Sequence, residues 1–244
     1  MRLTVLGGCG AWPAAGQACS GYLVSHDGFR ILIDPGYAVL PRLLELADTA
    51  DVDAVLVSHG HPDHCADLNP LLRARALRDE PCPPLPVYAP PDALGPVLAL
   101  DRPGMLDDAL ALRDLVPGTR VSIGPFSVRS WLLPHWMPNA GLRLEADGES
   151  LAYTGDTGPS PDLVSLARDA DVFLAEATYP RDVPADSARY LSSALQAGQT
   201  AARAGAGRLV LTHLWPGSSA ADAVDAAAQS YGGTILIASP GLVL

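Results

Sequence analysis

The sequence predicts an α/β fold, on two observations. Short apolar runs, such as Asp53-Ala54-Val55-Leu56-Val57 and Arg208-Leu209-Val210-Leu211-Thr212, read as buried strands, and helical segments alternate with them. The order also repeats: each half of the chain begins with strands and then alternates helices with strands. That pattern suggests two mixed sheets packed face to face with helices outside, an αββα sandwich. The 244 residues are 48% hydrophobic and 18% charged, which is enough for a packed core. No long low-complexity linker interrupts them, so 1–244 reads as a single domain.

Residues 3–6 form a first strand that runs into Gly7-Gly8-Cys9-Gly10, where glycine admits close backbone approach. Residues 21–25 and 30–34 make a hairpin across His26-Asp27-Gly28, so His26 is read as a turn residue and excluded from any site. Residues 41–47 read as a helix with proline in its first turn. Strand 53–57 then leads into Ser58-His59-Gly60-His61-Pro62-Asp63-His64, where Gly60 and Pro62 argue for a tight turn. Residues 66–77 have helical spacing interrupted by Pro70. Six prolines between positions 81 and 91 bracket a short strand at 87–89. Asp92 is expected to cap a helix through Leu100, and 106–115 reads as another helix. In the second half, strands are expected at Arg120–Ile123, Phe126–Leu133, 171–176, Arg208–Thr212 and 234–238. Residues 141–145 pair with 150–154 as a hairpin. Helices are expected at 162–169, 192–204 and 220–230, the second rich in Ala, Leu and Gln.

The formal net charge of −11 repels phosphate backbones at long range and argues against a nucleic-acid partner. No run of about 18 uninterrupted apolar residues occurs, so no membrane-spanning helix is expected. The start of the chain has no apolar core with a small-residue cleavage site, so no signal peptide is expected, and the expected location is cytoplasmic. Cys9, Cys19, Cys65 and Cys82 form no Cys-x-x-Cys pair and are read as free thiols.

The chemistry is concentrated after strand 53–57. Three imidazoles and a carboxylate fall within six residues, His59, His61, Asp63 and His64. Neutral imidazole and carboxylate without thiolate suit Zn(II), and Mn(II) or Fe(II) accept the same donors. Four ligands this close crowd one tetrahedral ion, whereas two ions about 3.5–4 Å apart use them all. His135, Asp156 and His213 each follow a predicted strand. They reach the same rim if their strands run parallel to 53–57.

His59-Gly60-His61-Pro62-Asp63-His64 resembles the His-x-His-x-Asp-His signature of the metallo-β-lactamase fold. Leu133-Pro134-His135, Tyr153-Thr154-Gly155-Asp156-Thr157 and Leu211-Thr212-His213 extend the resemblance to its ribonuclease-Z-like branch. That branch includes tRNA 3′-processing ribonuclease Z and cyclic-nucleotide phosphodiesterases. The resemblance implies the αββα fold and two divalent ions. His59, His61 and His135 would hold one ion, Asp63, His64 and His213 the other, and Asp156 would bridge. A homodimer is common among such relatives. Ala175-Glu176-Ala177-Thr178 is similar to the branch's His-Glu-Ala-Thr, whose Glu pairs with a later His that assists the leaving group. Here Arg189-Tyr190-Leu191-Ser192 stands where His-Leu-Ser is expected, so Tyr190 takes the later position. A tyrosine's unperturbed pKa near 10 makes it a different acid from His.

These features imply a dinuclear hydrolase using a metal-bound hydroxide, with Asp63, Asp156, Glu176 and Tyr190 as catalytic candidates. A small-molecule phosphodiester such as a cyclic nucleotide is the first substrate class. Only a short hairpin separates His135 from Asp156, which leaves no room for the tRNA-gripping arm of ribonuclease Z and disfavours tRNA 3′-end cleavage. A lactone or thioester hydrolase and a degenerate metal- or nucleotide-binding sensor are the alternatives. Trp12, Trp136, Met137 and Trp215 flank the glycine loop and two ligands, and are read as core or dimer contacts ahead of a base-stacking wall.

Overall fold

Antiparallel strands come first and parallel strands follow in each of the two units into which the chain divides. The computed structural model describes residues 1–244. The N-terminal unit comprises Arg2–Val116 and Ser239–Leu244, and the C-terminal unit comprises Met1 and Pro117–Ala238.

The N-terminal unit holds six strands in spatial order: β1 (Arg2–Gly7), β2 (Gly21–His26), β3 (Phe29–Ile33), β4 (Ala54–Leu56), β5 (Leu85–Ala89) and β6 (Leu110–Asp114). Strands β1 to β3 are antiparallel, and β3 to β6 are parallel. Its helices are α1 (Val39–Leu44), α2 (Pro62–Cys65), α3 (Leu68–Ala76) and α4 (Gly95–Leu98). Val39 and Leu43 of α1 and Leu68, Leu71 and Leu72 of α3 pack on Leu23, Leu32, Val55 and Val87 of the sheet. Each such side chain contributes about 1.5–3 kcal/mol by leaving water. The segment after Ser239 returns antiparallel to β1, with Leu3 and Leu244 exchanging N–H···O bonds of 2.9 Å, and so covers an otherwise open sheet edge.

The C-terminal unit repeats the plan with β7 (Arg120–Ile123), β8 (Phe126–Leu133), β9 (Asn139–Ala146), β10 (Glu149–Tyr153), β11 (Val172–Glu176), β12 (Arg208–Thr212) and β13 (Thr234–Ile237). Strands β7 to β10 are an antiparallel meander, and β10 to β13 are parallel. Helices α5 (Asp162–Ala167), α6 (Ala194–Ala204) and α7 (Ala220–Ala227) carry the crossovers. Helix α6 starts in a capping box, Ser193 accepting from Gln196 N–H while the Gln196 side chain accepts from Ser193 N–H, and it ends at Gly205 with φ 68°. The expected α/β class and both sheets are present.

Four local expectations are corrected. Residues 106–115 do not form a helix: Leu110–Asp114 pairs residue for residue with β5, and sheet pairing overrides the helical propensity of Leu, Ala and Arg. Asp92 has φ 63° and is not the N-cap, which is Leu94, and of the expected helix through Leu100 only Gly95–Leu98 is helical. The metal-ligand motif is not all turn: Pro62 opens α2, where its missing N–H costs no hydrogen bond. His26 ends β2, because the hairpin turns on Asp27 and Gly28 alone, both with positive φ.

Candidate metal centre

In the N-terminal unit the donors lie at the carboxyl ends of parallel strands, where open α/β sheets place their ligands. Asp34 follows β3, and Ser58-His59 follows β4. The register that pairs Ile33 with Leu56 sets Asp34 beside Ser58. Asp34 is fully buried, with φ 49°. One oxygen accepts from Ser58 N–H at 2.7 Å; the other accepts from Ser58 Oγ at 2.6 Å and from His64 Nδ1 at 2.8 Å.

This network fixes two tautomers. A carboxylate only accepts, so His64 carries its proton on Nδ1 and keeps a lone pair on Nε2. Ser58 spends its hydroxyl proton on Asp34, so at 3.0 Å it accepts from His59 Nδ1–H, and His59 also keeps its lone pair on Nε2. That nitrogen lies 3.0 Å from His61 Nδ1, so two ring nitrogens face one point. Asp63 Oδ2 accepts from Ala11 N–H at 2.8 Å and lies 3.6 Å from His64 Nε2. Backbone packing holds the loop here: a Cβ on Gly36 would run into the Asp63 carbonyl, and one on Gly60 into that of Ala93.

The C-terminal unit brings His135, Asp156 and His213 together. Strands β8, β10 and β12 run in one direction, so the residues after them emerge at one rim. Asp156 Oδ2 is 3.2 Å from His213 Nε2 and 3.8 Å from His135 Nε2, and all three side chains are almost fully buried. His135 Nδ1 donates to the Tyr190 carbonyl at 3.0 Å. His213 Nδ1 donates to Thr178 Oγ1 at 2.9 Å, and Thr178 donates to Glu176 Oε1 at 2.6 Å. His213 itself has φ 59°, a strained conformation for a non-glycine residue that aims its ring.

Glu176 also accepts from Thr157 N–H at 2.5 Å and Ser192 N–H at 3.1 Å. Its bonds therefore anchor His213 and the segment after Tyr190, and it is a positioning residue. Burial first, and then the charge of Asp156, push its carboxyl up to about 8, against the pull of His213 and of the bonds from Thr157 and Thr178. A folded-state pKa raised from 4.5 gives stability that is complete below pH 4.5 and lost as pH rises through about 8. The melting advantage of metal-free wild type over Glu176→Gln is thus expected to shrink between pH 5 and pH 8.5. An advantage constant with pH would contradict this assignment.

Tyr190 contributes its carbonyl to His135 and stacks its ring on Trp136, with centroids 5.1 Å apart. Trp12, Trp136 and Trp215 are not core residues: they are 48%, 53% and 37% exposed. Trp136 and Trp215 pair with Tyr190 and Tyr179 beside His135 and His213. Cys65 packs in the apolar core, where burial pushes its thiol up to about 12. All four cysteines are free thiols. Asp34, Ser58 and Thr178 are the functional residues that sequence reasoning missed. The one local signal was an acidic residue directly after the apolar run Ile31-Leu32-Ile33.

The donor set fits divalent cations. Four imidazoles have Nδ1 held by a protein acceptor and Nε2 left to coordinate, the arrangement typical of metal-bound histidine. Residues 29–214 match the model of a β-lactamase superfamily domain. Protein Rv1339 of Mycobacterium tuberculosis is 35% identical over 243 residues, covering 96% of this chain and 88% of its own length. The probable metallo-hydrolase YhfI of Bacillus subtilis is 31% identical over 251 residues, covering 100% and 99%. The crystal structure of YhfI matches with a TM-score of 0.91 at 29% identity, covering 100% of this chain and 98% of that one. A ribonuclease Z of Kineococcus radiotolerans is 31% identical over 263 residues, covering 87% and 82%.

Proposed function

Because the chain belongs to the β-lactamase superfamily, among metal-dependent hydrolases of the ribonuclease-Z-like branch, we propose that it is a dinuclear phosphodiesterase acting on a small phosphodiester such as a cyclic nucleotide. Residues 1–244 are read as one hydrolase domain. His59, His61, His135 and Asp156 would hold one ion and Asp63, His64, Asp156 and His213 the other, Zn(II) being the first choice and Mn(II) or Fe(II) the alternatives that accept the same donors. The observation that carries this reading is the set of four fixed tautomers, His59, His64, His135 and His213 each keeping Nε2 to coordinate. When bound, two such ions acidify a water towards neutrality and take up negative charge building on a phosphoryl oxygen.

The chain's own residues supply the rest. Asp63, held by Ala11 N–H, would accept a proton at its carboxylate. Asp34, Ser58, Thr178 and Glu176 keep the imidazoles neutral at the coordinating nitrogen and oriented. The Tyr190 hydroxyl bonds a phosphate oxygen, and the exposed Trp136 face stacks a base. A small substrate is favoured because β9 and β10 join through Asp147-Gly148 alone, so no arm extends between His135 and Asp156.

The test is hydrolysis of bis(p-nitrophenyl) phosphate and of p-nitrophenyl acetate by protein loaded with Zn(II) or Mn(II). The expected result is metal-dependent turnover of the diester, with the ester cleaved more slowly. Ester turnover without diester turnover, at two bound ions per chain, would replace the phosphodiesterase reading with an acyl hydrolase.

A further inference from the structure

The chain has no lysine, and three of its arginines surround a second cavity in the N-terminal unit. The strand register explains how. Arg2 of β1 pairs with Ser25 of β2, and Ser25 pairs with Arg30 of β3, so the three side chains form one row across adjacent strands on one face of the sheet. The next row on that face is Thr4, Leu23 and Leu32. Helix α1 packs over this face through Val39 and Leu43, and it contributes Arg42 to the rim. The volume of this open cavity is about 520 Å³, and Gly241 and Val243 of the returning segment also line it. Arg30 lies at one end of β3 and Asp34 just beyond the other, so this cavity is remote from Asp34 within the unit.

The charges in it are unbalanced. Two guanidiniums flank a hydroxyl in one cross-strand row, one on each strand beside Ser25. Glu45 is the one carboxylate in the lining, 3.7 Å from Arg42. Asp51 faces Arg30 at 3.8 Å, and Arg42 also donates to the Gly16 carbonyl at 2.9 Å. An anion seated over Ser25 lies between the Arg2 and Arg30 strand positions and meets donors from β1, β2 and β3. Guanidinium forks and a hydroxyl match phosphate oxygens. Leu23 and Leu46 give an apolar wall beside that polar row.

We infer that this cavity binds a small organic phosphate, its anionic head on the Arg2–Ser25–Arg30 row and its apolar body against Leu23 and Leu46. The site does not depend on the proposed reaction. The probe is phenyl phosphate, titrated calorimetrically into metal-free full-length protein, with inorganic phosphate as the comparison. Phenyl phosphate is expected to bind more tightly than inorganic phosphate. Its affinity should fall about tenfold or more in Arg2→Ala and in Arg42→Gln, since each removes charge-assisted hydrogen bonds. The melting temperature of each variant establishes that it is folded, and Asp156→Ala should bind as wild type does. Absence of binding, equal affinity for the two phosphates, affinity unchanged in both arginine variants, or loss of binding in Asp156→Ala would each overturn the inference.

Discussion

Asp156→Ala is expected to lower phosphodiester turnover by about 10³-fold or more, because one carboxylate serves both proposed ions and sets their separation. The loss should separate cleanly from folding. In the metal-free protein, Asp156 is a negative charge that pushes the Glu176 carboxyl up. Removing it relieves that repulsion, so the metal-free variant should melt no lower than wild type near neutral pH. The stabilisation gained on adding Zn(II) should shrink, since a ligand that binds only the folded state stabilises in proportion to its affinity. A variant that keeps full turnover, or one that simply unfolds without metal, would contradict this account of Asp156.

Asp34→Ala is expected to have the largest effect on stability of any substitution around the centre. Asp34 accepts from Ser58 N–H, Ser58 Oγ and His64 Nδ1 inside a fully buried site. Removing the carboxylate leaves those donors without their acceptor, at a cost of about 3–5 kcal/mol by analogy with breaking a buried charged pair. It also releases the tautomers of His59 and His64, and metal affinity should fall about 10–100-fold. Asp34→Asn separates the two effects. Asparagine tolerates the φ of 49° and keeps one acceptor oxygen, but its amide presents N–H groups to donors. Urea denaturation should therefore rank wild type above Asn and Asn above Ala, with zinc titrations in the same order. Equal stability of the alanine variant and wild type would show that the network carries no energetic weight.

The legible parts of the fold were those whose signal is local. Apolar runs ending in His or Asp marked β4, β8, β10 and β12 and the residues after them, because strand length and ligand type are both written in a few consecutive positions. Asp34 and Thr178 were not legible as partners of the histidines. Asp34 meets Ser58 only through the β3–β4 register, and Thr178 meets His213 across 35 positions. Strand β6 was misread because Leu110-Ala111-Leu112-Arg113 has good helical propensity, and only the edge of β5 makes it a strand. The exposure of Trp136 and Trp215 was likewise not readable, since a tryptophan beside a strand end has the same sequence signature whether it faces core or solvent.

The ligand set proposed above is expected to hold two ions per chain. X-ray absorption at the zinc edge, on protein carrying two Zn(II) per chain, tests it most directly. The expected result is a first shell of nitrogen and oxygen only, with several imidazoles and a zinc–zinc vector at about 3.5–4 Å. Sulfur in the first shell, or isolated zinc sites with no second metal within that distance, would contradict it.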